Sequence, residues 1–182
     1  PVSGANNTLT VTLTANYHLK AGSTVTILGL TGSQTADNGA LTVASTSGLL
    51  GTAGAWTQGP GQLVLTAASI GTTTGTACVV TFLLTNKASD QTSPPLTVAG
   101  TIQDQSGRSI GTIAEAGMSK PGTALYEVAN GADALTVLVP LFTTKSIQQS
   151  TLISGVANTF TVTLTANLAI KSGSTVTISG LT

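Results

Sequence analysis

The segment NTLTVTLTAN (residues 7–16) decides the fold, because the chain contains it twice. Near the other end NTFTVTLTAN (residues 158–167) repeats it, and GSTVTI follows each copy after the same interval. Aligned without a gap, residues 1–31 and 152–182 are identical at 21 of 31 positions. Identity at a fixed offset is typical of a tandem repeat, so we expect one full period of 151 residues and the opening of the next.

Within the first copy, threonine alternates with leucine and valine, the period of two that is typical of a β-strand with one buried face. Threonine suits the solvent-facing side because its branched carbon fits the pleat. The second copy keeps the apolar phase, whereas His18, in the other phase, becomes Ala169. We therefore predict these core residues: Leu9, Val11, Leu13, Tyr17, Leu19, Val25 and Ile27.

Alternating apolar residues and turn sequences predict further strands and no substantial helix. About seven strands fall within the first 100 residues, the spacing typical of an immunoglobulin-like β-sandwich. Beyond them we predict a hairpin turn at residues 104–107, and strands at residues 124–129 and 134–142. The expected fold class is all-β, with immunoglobulin-like β-sandwich units in tandem.

The repeat suggests three segments. Residues 1–102 form the sandwich, and residues 152–182 start the next copy. Residues 103–151 either complete the sandwich with additional strands or form a small β-unit. A unit of that size buries too little apolar surface to be stable alone, so in both alternatives it packs on a neighbour.

Charge is scarce and balanced, with six Lys+Arg and six Asp+Glu. A surface without net charge lacks the repulsion that keeps monomers apart, so we expect self-association with further copies. The cations are scattered singly, which disfavours nucleic-acid binding. The apolar runs are far shorter than the roughly 20 residues of a spanning helix, so no membrane insertion is expected.

The sequence suggests no catalytic, cofactor-binding or metal-binding residues, and predicts that the protein is not an enzyme. His18 is the only histidine, which disfavours a Ser-His-Asp triad. The carboxylates are dispersed singly, and the turns at Asp37 and Asp104 each offer one carboxylate where calcium takes about six to eight oxygen ligands. The single cysteine, Cys78, excludes an intrachain disulfide and is expected to be a small buried hydrophobe.

Two residues are candidates for modification or ligand contact. Asn6 begins the sequon Asn6-Asn7-Thr8 before the first strand and is a candidate N-glycosylation site if the chain is secreted. Trp56 could stack on a sugar, as in carbohydrate-binding modules, although packing in the core also accounts for a lone tryptophan. The Thr-x-Thr rows are similar to ice-binding surfaces, but β-propensity explains them as well.

Residues 7–31, with the continuation GLTGSQT (residues 29–35) and the later LVLT (residues 63–66), resemble repeat units of very large surface proteins of unicellular algae and other protists. The broader pattern is similar to the immunoglobulin-like repeats of adhesins and surface fibres. The resemblance implies secretion, display in many copies and an extracellular or cell-surface location. It brings no enzymatic residues with it.

These observations together favour a structural repeat unit of an extracellular filament, flagellar hair or cell-surface coat, assembled through repeat–repeat contacts. Quasi-one-dimensional stacking explains the repeat and the scarcity of charge. The alternative is a cell-surface adhesin whose repeats bind carbohydrate or another ligand, with glycans as partners. A further alternative is an ice-binding protein.

Overall fold

The computed structural model describes residues 1–68 and 71–181, and it is all-β. No α-helix occurs in that part of the chain, and a single 3-10 turn lies at Thr46–Gly48. The strands are β1 (Asn6–Thr14), β2 (Thr24–Leu28), β3 (Asn38–Ser45), β4 (Ala53–Thr57), β5 (Gln62–Thr66), β6 (Ala77–Thr85), β7 (Thr97–Gln103), β8 (Ser109–Gly117), β9 (Phe142–Gln149) and β10 (Phe160–Ala166).

Eight strands form one curled antiparallel sheet in the order β1-β6-β3-β4-β5-β2-β7-β8. Strand β3 lies at the bend, because its last residues pair with β6 whereas the earlier ones pair with β4 across a register shift. The curl brings the two ends of the sheet near each other, so that Thr10 of β1 and Gly117 of β8 line one cavity. An open seam therefore separates β1 from the β7–β8 end.

The core fills the inside of the curl. It consists of the side chains at alternate positions along the strands that point inward. Val80 and Phe82 of β6 belong to the same core cluster as Leu63 and Leu65 of β5, and all four are buried. The alternation of residue types that predicted these strands also matches their burial, since β6 and β5 both alternate between buried and more exposed positions. The prediction of an all-β chain without substantial helix is confirmed.

The segment at residues 103–151 contributes to both the sheet and its core. Strand β8 pairs with β7 across the predicted turn at residues 104–107. Leu135 is completely buried in the main core cluster. Gln91 holds this region, because its backbone pairs with Val137 and its side-chain amide donates to the carbonyl oxygen of Leu135 at 3.1 Å.

The predicted strands at residues 124–129 and 134–142 are wrong. Turns and short connections occupy most of this stretch, and strand β9 starts only at Phe142. Tyr126, Asn130 and Leu135 have positive φ, a conformation that interrupts an extended chain. In this segment the backbone is irregular, and individual apolar side chains are buried one at a time. The sequence therefore alternates as in a strand although no strand forms.

The predicted core of the first copy is correct at Leu9, Leu19, Val25 and Ile27, which are buried. Tyr17 is a correction, because its side chain is 49% exposed. Strand β1 ends at Thr14, so the alternation no longer determines which way the following residues face. Val11 and Leu13 are only half-buried, since they lie at the seam.

Strands β9 and β10 form a separate two-stranded antiparallel sheet, here called the hairpin. Strand β10 lies within the second copy of the opening sequence, and residues 160–166 correspond to residues 9–15 of the first copy. The residues that correspond to β2 form no strand in the second copy. The same sequence is therefore part of a large sheet in one copy and of a small ribbon in the other.

Candidate functional site

The carboxylates of the two candidate calcium turns accept hydrogen bonds from backbone amides. Asp104 Oδ1 accepts hydrogen bonds from the amides of Ser106 at 2.8 Å and Arg108 at 3.0 Å, which fixes the β7–β8 turn. Asp37 Oδ1 accepts a hydrogen bond from the amide of Gln58 at 2.7 Å. Turn chemistry thus accounts for Asp104. The expected turn at Asp37 is wrong, because this residue lies directly before strand β3 without a turn, and its carboxylate joins that segment to Gln58 after β4. In the described ranges, no three His, Cys, Asp or Glu residues are grouped so that they could hold a metal ion.

Cys78 lies on the inner face of β6, opposite Leu13 of β1, and is buried. Burial raises the pKa of its thiol, and a hydrogen bond with the backbone of Thr46 offsets the rise in part. A buried neutral thiol is a poor nucleophile, because the thiolate is the reactive form. This environment matches the expectation of a packing residue.

Trp56 belongs to the core. Its side chain is 2% exposed, and Nε1 donates a hydrogen bond to the carbonyl oxygen of Thr35 at 2.9 Å. In this conformation the ring offers no face on which a sugar could stack. Asn6 is exposed at the first position of β1, and its glycosylation stays a prediction.

The exposed threonines of β1 form a single row. Opposite Thr8, Thr10 and Thr12 on β6 lie Leu83, Thr81 and Val79. A flat threonine array therefore does not extend to the neighbouring strand.

The seam beside β1 is a free sheet edge. Alternate residues of an antiparallel strand direct their backbone groups to opposite edges. In β6, the amide of Val79 donates to Thr46 Oγ1 at 2.9 Å, and the amide of Thr85 donates to Thr35 Oγ1 at 2.7 Å, both on the side away from β1. The backbone N–H and C=O groups of the intervening even-numbered residues of β6 therefore point towards β1.

The partner residues give the same assignment for β1. Val80 and Phe82 pair with Val11 and Leu9, so these odd-numbered residues bond to β6. The backbone groups of the threonines at positions 8, 10, 12 and 14 consequently point away from the sheet. Within residues 1–68 and 71–181 no further strand pairs with this edge, which we call the threonine edge.

The core is incompletely covered along this seam. Five apolar residues that pack on the core are only half-buried there: Val11, Leu13, Val98, Ile113 and Met118. Cavities of about 330 Å³ and 490 Å³ lie along β1 and reach to the segment at residues 117–121. An apolar, partly open groove thus runs beside unpaired backbone groups.

The hairpin uses the corresponding edge of β10. The amide of Thr159 donates to Ser150 Oγ at 2.9 Å, and its carbonyl oxygen accepts from the amide of Ser150 at 3.0 Å. Odd-numbered residues of β10 therefore bond to β9. At the repeat offset, Thr159 corresponds to Thr8, so β9 occupies the threonine edge of the second copy.

The second copy also rests on the segment that precedes β9. Asn167 Nδ2 donates to the carbonyl oxygen of Val139 at 2.9 Å, and the amide of Ala169 donates to the carbonyl oxygen of Tyr126 at 3.0 Å. The ammonium of Lys171 lies 4.4 Å from the centre of the Tyr126 ring, a cation–π contact. These contacts define a small junction between one copy and the next.

Sequence reasoning missed the threonine edge and the junction. Residue types indicate which face of a strand is buried, but they do not indicate which edge is paired. The available signal was indirect: Asn16 and Lys20 are retained as Asn167 and Lys171, although neither is an apolar core residue.

Comparisons of the chain with protein-family models, with curated proteins and with solved structures found no match. In the part of the chain that the structure describes, no helix has the length and hydrophobicity needed to cross a membrane.

Proposed function

We propose that the chain is a structural repeat unit of an extracellular filament, flagellar hair or cell-surface coat, in which immunoglobulin-like β-sandwich repeats associate in series. The observation that carries the proposal is the different burial of the two copies. Ile27 is 0% exposed, whereas its counterpart Ile178 is 49% exposed. Leu9 is 7% exposed, and its counterpart Phe160 is 49% exposed.

The uncovered apolar residues are concentrated at one end of the chain. Sixteen large hydrophobic residues are exposed in residues 1–68 and 71–181, and ten of them lie between Ile147 and Leu181. A set of this kind requires a partner, because exposed apolar surface of appreciable size marks an interaction site. In the first copy the same sequence is buried by later strands of its own period, so the remainder of a second period would cover these residues in the same way.

The junction and the charge support association in series. Contacts of Asn167 and Lys171 with Val139 and Tyr126 join the end of one period to the start of the next. The net charge is zero, so long-range repulsion does not oppose close packing of copies. The extracellular location rests on the resemblance to surface repeats.

Electron microscopy of proteins with one, two and four successive copies of the 151-residue period tests the proposal. We expect straight rods whose length grows in proportion to the number of copies, as in other repeat arrays. Flexible beads without regular contacts, or separate globular particles that turn over a substrate, would contradict it. A carbohydrate array probed with the same proteins tests the adhesin alternative directly.

A further inference from the structure

We propose that the threonine edge of β1 binds strand β9 of a second copy of this chain, which adds a ninth strand to the curled sheet and closes the seam. The inference rests on the proposed function, because it names the contact through which successive copies associate. Edge-strand addition of this kind combines backbone hydrogen bonds with pockets for alternate side chains.

The repeat places nearly the same strand edge in both copies. Strand β9 already pairs with the edge of β10 that corresponds to the free edge of β1. Over the positions that the two strands share, residues 9–14 and 160–165, β10 and β1 differ only where Phe160 replaces Leu9. A strand that fits the first of these edges therefore meets nearly the same backbone and side chains at the second.

The register of the hairpin gives each residue of β9 a defined neighbour. Ile147 lies directly opposite Val162, and Ser146 lies opposite Thr163. Transferred to the first copy, the pairing places Ile147 beside Val11 on the core side, and Ser146 beside Thr12 on the outer side. Ile147 is 50% exposed in the hairpin, whereas beside Val11 it would enter the groove lined by Met118.

Lys145, two residues before Ile147, suits the end of the seam at which it would lie. It shares the face of Ile147 and would lie beside Leu13, and Gln149 on the same face would lie beside Leu9. A lysine stem can cover apolar surface while its ammonium reaches water. At the Leu13 end the seam opens towards Tyr17, which is exposed, so the ammonium has a route to solvent.

The amount of apolar surface that is buried indicates whether β9 is more stable beside β10 or beside β1. In the hairpin, β9 and β10 form an isolated ribbon, which is marginally stable in water. Beside β1, the same strand keeps an equivalent ladder of hydrogen bonds and also covers half-buried core residues. The second position is therefore favoured by the additional apolar burial.

A peptide with the sequence of residues 140–150 is the probe, and the full chain at low concentration is the target. Without peptide, NMR hydrogen exchange is expected to be slow at the amides of Leu9 and Val11 and fast at those of Thr10 and Thr12. Saturating peptide should slow exchange at Thr10 and Thr12 by at least about tenfold. No change at these two amides would overturn the inference.

Two variants test the edge and the groove separately. Thr12→Pro removes an amide on the free edge, where proline is tolerated, and should weaken peptide binding at least about tenfold. Thr12→Val retains the amide and should bind the peptide as the native chain does. A peptide with Ile147→Asp should also bind at least about tenfold more weakly, because it brings a charge into the apolar groove.

Undiminished binding to the Thr12→Pro variant, with its fold intact by circular dichroism, would overturn the inference. Such a result leaves the proposed function standing if tandem proteins still form rods, since the copies would then associate through the junction alone. Rods that are absent while the peptide binds at the threonine edge contradict the proposed function instead. The two failures are therefore distinguishable.

Discussion

Asn7 and Asn86, which are 79 positions apart in sequence, are joined side chain to side chain: Nδ2 of Asn7 donates to Oδ1 of Asn86 at 3.0 Å. Asn86 is buried, and its own Nδ2 donates to the carbonyl oxygen of Val2 at 2.8 Å. The pair holds the start of β1 against the end of β6. In the second copy, Asn158 stands where Asn7 does, and it binds residues at the end of β9 instead.

Asn86→Ala should lower the free energy of unfolding by about 1–3 kcal/mol, because it leaves Asn7 and the Val2 carbonyl without their buried partner. Urea denaturation followed by circular dichroism measures the change. Asn158→Ala is the matched control, since it removes an exposed hydrogen-bonding side chain from the hairpin, and it should cost less than about 0.5 kcal/mol. Equal losses in both variants would contradict the role assigned to Asn86.

A charge in each copy tests the difference in burial. Ile27→Asp places a carboxylate in the core without a partner, at a cost of several kcal/mol, and should unfold the sheet. Ile178→Asp makes the same change at an exposed position and should leave the melting temperature nearly unchanged. Thermal melts compare the two. A similar loss in both variants would indicate that the second copy is packed as firmly as the first.

Cys78 predicts a dependence of stability on pH. Because burial raises the pKa of the thiol in the folded chain, the unfolded chain loses its proton first as the pH rises. The contribution of Cys78 to stability is therefore constant at neutral pH and falls above the ordinary thiol pKa of about 8.5. Urea denaturation at pH 7 and pH 9.5 should show a larger loss in the native chain than in Cys78→Val.

Local sequence predicted most strands because their evidence is local. The alternation around Val11 and the turn at Asp104 are properties of a few adjacent residues, and both give the observed elements. Leu135 contributed to the wrong prediction of a strand at residues 134–142, because local sequence does not show distant contacts. Its burial results from the distant contact with Gln91, which its neighbours in sequence do not indicate.

The candidate site depended on information that no strand carries by itself. The free edge of β1 exists because β6 takes the opposite edge and because β8 ends the sheet across the seam. The threonine pattern is the same in β1 and β10, yet their partners differ. Pairing is a property of the whole topology, so it became evident only from the structure.

Gly29 and its counterpart Gly180 both have φ of 84°, a conformation that L side chains rarely adopt. They differ in their surroundings. A Cβ on Gly29 would overlap the carbonyl oxygen of Pro95, whereas a Cβ on Gly180 meets no atom within 4 Å. The two glycines thus separate backbone strain from steric overlap.

Gly29→Ala should lower the free energy of unfolding by more than about 2 kcal/mol, since the backbone of Pro95 must move to make room. Gly180→Ala adds the same backbone strain without the overlap and should cost only about 1–2 kcal/mol. Urea denaturation of both variants measures the difference. If Gly29→Ala were as mild as Gly180→Ala, the close approach between Pro95 and the turn after β2 would be wrong, and with it the path of the chain into β7.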